Sequence, residues 1–295
     1  MKNELLQSFV KHLHEKGLRI ATCNGIKSIV NIFLNWVEAE QISYTEISYT
    51  ELLSYINHLK ERGNQKRTIN YTLTGLKHFY NYLQILQQIS TNPVETIRIK
   101  NVVKRIPHDL LAWEELEQLY KNFESTGITG KRNKAMLGLL VYQGLTTGDL
   151  HALEVKDLKL EEGKIYIPTI TRSNSRIMKL EAFQVMQLQK YVTQVRPVLL
   201  QLTGKESEKL FVSTGKGQRL KNTTVNLIKP IIKANPKVKS FSQIRASVIT
   251  EWMKKHNIRQ VQYMSGHRYI SSTGYYRTNT LETLQEMIDQ LHPLK

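Results

Sequence analysis

Apolar side chains recur at helical spacing through most of the first hundred positions, and the run is cut at Asn92-Pro93. That period admits helices and excludes strands, which would alternate every second residue. Leu5, Phe9 and Leu13 form one stripe, and Ile29, Ile32, Phe33 and Trp36 form another. A third helix is expected over Tyr49 to Leu59. A fourth runs from about Gln65 to Leu83, with Ile69, Leu73, Leu76, Tyr80 and Leu83 along one face. Proline cannot continue a helix and restricts the residue before it, so a four-helix domain is expected over 1–98.

The stretch from Arg98 to Pro107 is basic and lacks a period, which makes 99–108, with Lys104 and Arg105, an expected linker. Beyond it the pattern changes. Trp113 to Phe123 and Lys131 to Tyr142 read as helices, and Lys164 to Pro168 reads as a strand. Arg176 to Leu180 reads as its partner across a polar turn at Ser173-Asn174-Ser175. The predicted fold is mainly α with a small β-sheet: a helical N-terminal domain and a mixed α+β domain over 109–295. A length of 295 residues fits two domains better than one.

Charge narrows the choice of partner. Lys and Arg number 42 against 25 Asp and Glu, a net +17 that attracts polyanions, with duplex DNA first among them. Residues 1–98 hold 11 basic and 8 acidic side chains, so most of the excess lies in the linker and second half. On the fourth helix Lys66, Arg67, Asn70, Tyr71, Thr74 and Lys77 lie off the apolar stripe and form a smaller candidate DNA-reading face, although most single surface lysines are merely solvated. No stretch approaches the roughly 20 apolar residues of a membrane span. The opening MKNELLQSFVKHLHEKG has no signal-peptide core, and the single Cys23 forbids an intrachain disulfide and a cysteine zinc site. A cytoplasmic chain without membrane contact is expected. No Gly-rich phosphate loop is present, and neither metal nor cofactor is expected.

The chemistry concentrates in three segments. Ser240-Phe-Ser242-Gln-Ile-Arg245 precedes Ser265-Gly266-His267, and Tyr276 follows nine residues after that histidine. Upstream stands Gly144-Leu145-Thr146-Thr147-Gly-Asp149-Leu150. In order and spacing these segments resemble the boxes of the tyrosine recombinase (phage integrase) family, whose core-binding, SAM-like domain the four-helix half also resembles. The resemblance implies a phosphoryl transfer in which Tyr276 attacks a DNA phosphate and forms a 3′-phosphotyrosyl link. Cations around the non-bridging oxygens would supply most of the rate. Arg245 matches the second family arginine and His267 the third-box histidine. Thr146 stands where the first arginine would be, and Ser242 where a histidine would be. The hairpin lysine, a general acid for the leaving oxygen, is matched by Arg172 or by Arg176. Arginine can stabilise charge there but hardly gives up a proton.

Each residue also has a plainer reading. Tyr276 could be a core tyrosine, His267 a turn residue, and Arg245 a surface ion-pair partner of Glu251 or another carboxylate. The terminal segment 280–292 is an amphipathic helix behind a threonine cap; it either packs on its own domain or docks into a neighbouring subunit of a homo- or hetero-oligomer, up to a tetramer on DNA. Three functions follow: a working recombinase, a cleavage-impaired relative that binds a DNA site beside an active partner, or a basic helical protein that binds nucleic acid for regulation.

Overall fold

The computed structural model describes residues 2–100, 109–170, 173–215 and 220–276. The chain divides into two compact units, Met1–Arg105 and Ile106–Lys295.

In the first unit the periodic segments fold as α1 (Lys2–Glu15), α2 (Ile20–Ala39), α3 (Tyr49–Glu61) and α4 (Lys66–Ile85). Their stripes meet in an aromatic-rich core around Phe9, Phe33, Tyr55, Phe79 and Tyr80. Phe9 meets Phe79 edge-on at 5.4 Å between ring centroids, and Phe33 meets Tyr55 at 5.0 Å, geometries that suit aromatic quadrupoles. The Tyr80 hydroxyl, buried among these rings, donates to the Tyr44 carbonyl at 3.1 Å. Ser48 starts α3 with a reciprocal cap: its hydroxyl accepts from the Glu51 amide while the Glu51 carboxylate accepts from the Ser48 amide. One stripe residue departs from expectation. Ile32 is 46% exposed, because it lies at the edge of the face on which Phe33 and Trp36 turn inward.

The second unit wraps around α6 (Gly127–Tyr142), in which Ala135 to Val141 are all buried. A helix apolar on every side must be central, and α5 (Trp113–Lys121), α8 (Ala182–Lys190) and α11 (Phe241–Lys255) pack against it. Between α7 (Thr147–Ala152) and α8 lies an antiparallel sheet of β1 (Leu158–Lys159), β2 (Lys164–Ile167) and β3 (Arg176–Lys179). Its register sets Ile167 opposite Arg176 and Ile165 opposite Met178, so Arg176 shares the buried face with Ile165, Ile167 and Met178. After α8 come a π-helical turn at Tyr191–Val195, α9 (Arg196–Thr203) and α10 (Lys221–Ala234). Following α11, α12 (Ile258–Ser265) ends at Gly266, and residues 270–276 are again helical. No described helix is long and apolar enough to cross a membrane.

Candidate active site

Five separate segments of the second unit converge on one place. The bend after α6 supplies Gly144, whose carbonyl faces α11. Arg245, one turn into α11, donates through Nη1 to that carbonyl and through Nη2 to the Ser265 carbonyl at 2.6 Å. Two backbone acceptors therefore hold the guanidinium in a fixed orientation. Burial lowers the Arg245 pKa, and the charge of Arg176 lowers it further. Glu251 pairs instead with Lys254 at 2.6 Å, and Arg245 is bonded to backbone carbonyls rather than to it.

His267 follows the left-handed Gly266 and sets its Nε2 3.5 Å from Arg245 Nη2, while its Nδ1 lies 2.9 Å from the Thr273 hydroxyl. A guanidinium has only donors, so Nε2 is the acceptor and the ring proton sits on Nδ1, pointing at Thr273. Burial pushes the His267 pKa down to about 4, and the neighbouring charges of Arg245 and Arg176 add to that shift. The imidazole is neutral at physiological pH.

Tyr276 lies over this ring: the two centroids are 5.9 Å apart and the planes differ by 10°. Tyr275 meets Tyr276 edge-on at 5.6 Å. Desolvation raises the Tyr276 pKa, and Arg245 opposes the rise. The phenol is half-buried and packs against the core of its unit, so it is at once a packing residue and a neighbour of two potential phosphate ligands.

The first-box segment behaves differently. Thr146 is the N-cap of α7, and its hydroxyl both accepts from the Asp149 amide at 3.0 Å and donates to Asp149 Oδ2 at 2.9 Å. The hydroxyl is thus engaged locally. Ser242 lies exposed in the first turn of α11, three residues before Arg245. Arg172, Lys104, Arg105 and the segment 280–292 fall outside the described residues.

Arg176 was legible only as an alternative for the hairpin cation, and it is the cation held inside. Its side chain is fully buried and pairs with the equally buried Asp149, Nη2 to Oδ2 at 3.2 Å. Its Nε and Nη1 have no hydrogen-bond partner among the described residues. The hairpin is tied to the His267 loop by the Asn174 amide, which donates to the Gly266 carbonyl at 2.9 Å, and by a bridge from Ser173 to His267. Asp149, the partner of Arg176, was read only as the acidic member of the first box, and Thr273, the partner of His267, was given no role by motif spacing.

In the first unit, Lys66, Arg67, Tyr71 and Thr74 are exposed and Asn70 is half-buried, all on one side of α4. The Thr74 hydroxyl donates to the Asn70 carbonyl at 2.9 Å, and Lys77 is engaged with Glu95 at 2.5 Å. No group of three or more metal-ligating side chains occurs among the described residues.

Chemically, guanidiniums, an imidazole and a phenol drawn together in a partly buried cluster suit an anionic phosphoryl group and an attacking oxygen. Residues 110–282 match the Phage integrase family, and residues 5–88 match the Phage integrase N-terminal SAM-like domain. The chain belongs to the phage integrase family, and a role in DNA recombination follows from that membership. Among similar proteins, tyrosine recombinase XerD of Oceanobacillus iheyensis is 28% identical over 95% of this chain and 94% of its own length. Tyrosine recombinase XerC of the same organism is 24% identical over 98% and 95%. The fold is shared with the XerH site-specific recombinase bound to a palindromic difH substrate (TM-score 0.73, 19% identity, 91% of this chain and 79% of that one). It is also shared with a lambda integrase dimer on a COC' core site (TM-score 0.67, 17% identity, 93% and 94%).

Proposed function

We propose that this chain is a site-specific recombinase that cuts and rejoins duplex DNA through a 3′-phosphotyrosyl intermediate at Tyr276. The observation that carries this reading is the stack of Tyr276 on His267, with Arg245 beside the same imidazole, three residues brought together from three segments. In the reaction Tyr276 Oη forms a bond to phosphorus and loses its proton, while the bond from phosphorus to the 5′ oxygen breaks and that oxygen leaves as a hydroxyl after gaining a proton. Arg245 holds the non-bridging oxygens, joined by His267 in the tautomer that carries its proton on Nε2, where Nδ1 accepts from the Thr273 hydroxyl. The strand is rejoined by the reverse displacement, so the bond energy stays in the phosphotyrosyl link and no cofactor is consumed. The face of α4 bearing Lys66, Arg67, Asn70, Tyr71 and Thr74 reads DNA, with 1–98 as the DNA-binding domain and 99–108, with Lys104 and Arg105, as a basic linker. The structurally similar lambda integrase is a dimer on a COC' core site and a tetramer on a Holliday junction, which supports an oligomer here; 280–292 is the segment assigned to its interface. The compartment is the cytoplasm.

A second reading has its own observation. The Thr146 hydroxyl is spent on Asp149 and Ser242 is a neutral, exposed hydroxyl, which favours a chain that binds its site beside an active partner without cutting. The two separate on a nicked duplex carrying the sequence that the chain itself selects from a random pool. A recombinase traps a covalent adduct as the short nicked fragment diffuses away, and Tyr276→Phe, which keeps the ring and removes the attacking oxygen, traps none. Binding without any adduct in wild type refutes the cutting reading.

A further inference from the structure

We propose that Arg176, at the start of β3, is the second phosphate-binding guanidinium of this site and supplies the charge that Thr146 does not. The proposal rests on the recombinase reading of Tyr276 and identifies a further catalytic residue for it. A buried cation normally uses every donor it has, since each unpaired N–H out of water is costly. Arg176 is fully buried and bonds through Nη2 to Asp149, while Nε and Nη1 have no hydrogen-bond partner among the described residues. Although Arg176 shares the buried face of the sheet with Ile165, Ile167 and Met178, its guanidinium end lies against the loop that carries His267. The guanidinium lies so close to Gly266 that a Cβ there would stand 2.5 Å from Nη1, and Gly266 directly precedes His267. The Arg176 charge is also felt by both Arg245 and His267.

The charges balance for one ligand. Arg176 and Arg245 against Asp149, with His267 neutral, leave one net positive charge, which a single phosphodiester anion neutralises. Nε and Nη1, which lie on different edges of the guanidinium, each leave a donor for such an anion. Its place in the fold is also suited to positioning: Asp149 fixes one end, and the hairpin that carries it is bonded to the His267 loop.

The test uses the full chain and two versions of its selected nicked duplex, one with an ordinary phosphodiester at the scissile position and one with a methylphosphonate, which has lost the charged oxygen. Arg176→Met is compared with Asp149→Asn/Arg176→Met, which removes both charges and so does not strand a buried carboxylate. On the diester, adduct formation relative to wild type is expected to fall by about a hundredfold or more in both variants. On the methylphosphonate the loss shrinks to less than about tenfold, because the neutral phosphoryl no longer requires the second cation. Equal losses on the two substrates would mean that Arg176 only supports the fold, and would overturn the proposal, as would an undiminished rate on the diester. Should wild type form no adduct at all, the Tyr276 reading fails separately, and Arg176 is judged on binding. The slope of log affinity against log salt on the same duplex then drops by about 1 in the variants if the guanidinium meets a phosphate, and an unchanged slope overturns the proposal.

Discussion

Replacing Gly266 by alanine probes how firmly Arg176 is held beneath the site. Gly266 has φ +68°, a left-handed conformation that costs a side-chain-bearing residue about 1–2 kcal/mol. The new methyl would also meet Arg176 Nη1 at 2.5 Å and Cζ at 3.0 Å, with the Asn174 carbonyl at 3.1 Å. A flexible arginine tip would simply swing aside. This one is buried and paired with Asp149, so the overlap adds the usual penalty of overpacking, about 1–3 kcal/mol. Gly163 supplies the control: its φ is +61°, and nothing lies within 4 Å of the position its Cβ would take, so Gly163→Ala carries the backbone term alone. Urea unfolding followed by circular dichroism should therefore find Gly266→Ala less stable than Gly163→Ala by about 1–3 kcal/mol. Equal losses, within about 0.5 kcal/mol, would refute a pinned guanidinium against Gly266.

Further outcomes follow from the same geometry. Thr146→Arg in the wild-type background should raise adduct formation no more than about threefold, well short of the hundredfold that filling an empty cation position would give; a hundredfold gain would show that Arg176 does not serve it. The His267 ring should titrate near pH 4 by NMR rather than near the ordinary 6.5. Because the unfolded chain takes up that proton at a higher pH than the folded one, His267 contributes stability that is fully present above about pH 6.5 and is lost as pH falls toward 4; a midpoint above 6 contradicts the buried setting. Duplex affinity should fall by at least tenfold between 50 and 200 mM salt, given the basic surface, and a change under about threefold would exclude multiple phosphate contacts. Alanine at Asn70 or Tyr71 should alter which sequences are selected more than it weakens binding overall; equal losses on all sequences would remove α4 from base reading.

The four helices of the first unit and α5 and α6 of the second were legible because their burial is one-sided or complete, and both leave a period in the sequence; α7 to α12 were not called, and Ile32 misled only as an edge position. The two-residue strand Leu158–Lys159 and the π-helical turn at Tyr191–Val195 left no such mark, being too short to show a period. At the site, Arg245, His267 and Tyr276 could be picked out by order and spacing. Arg176 could not be separated from Arg172 that way, yet a signal existed. In Arg176-Ile177-Met178-Lys179-Leu180 an inward Met178 requires an inward Arg176 and an outward Ile177, which is the arrangement found. Thr146 likewise announced its local role: Thr146-Thr-Gly-Asp149 has the spacing of a capping box, whose hydroxyl is engaged by its own helix. Thr273 as the partner of His267 depends on three-dimensional proximity alone.

The most direct measurement is the identity of the tyrosine that carries DNA after cleavage. Wild-type chain trapped on the nicked selected duplex, digested with nuclease and protease and sequenced by mass spectrometry, should carry the nucleotide remnant on Tyr276. A remnant on the adjacent Tyr275, or an adduct that survives Tyr276→Phe, would contradict the assignment of Tyr276 as the nucleophile.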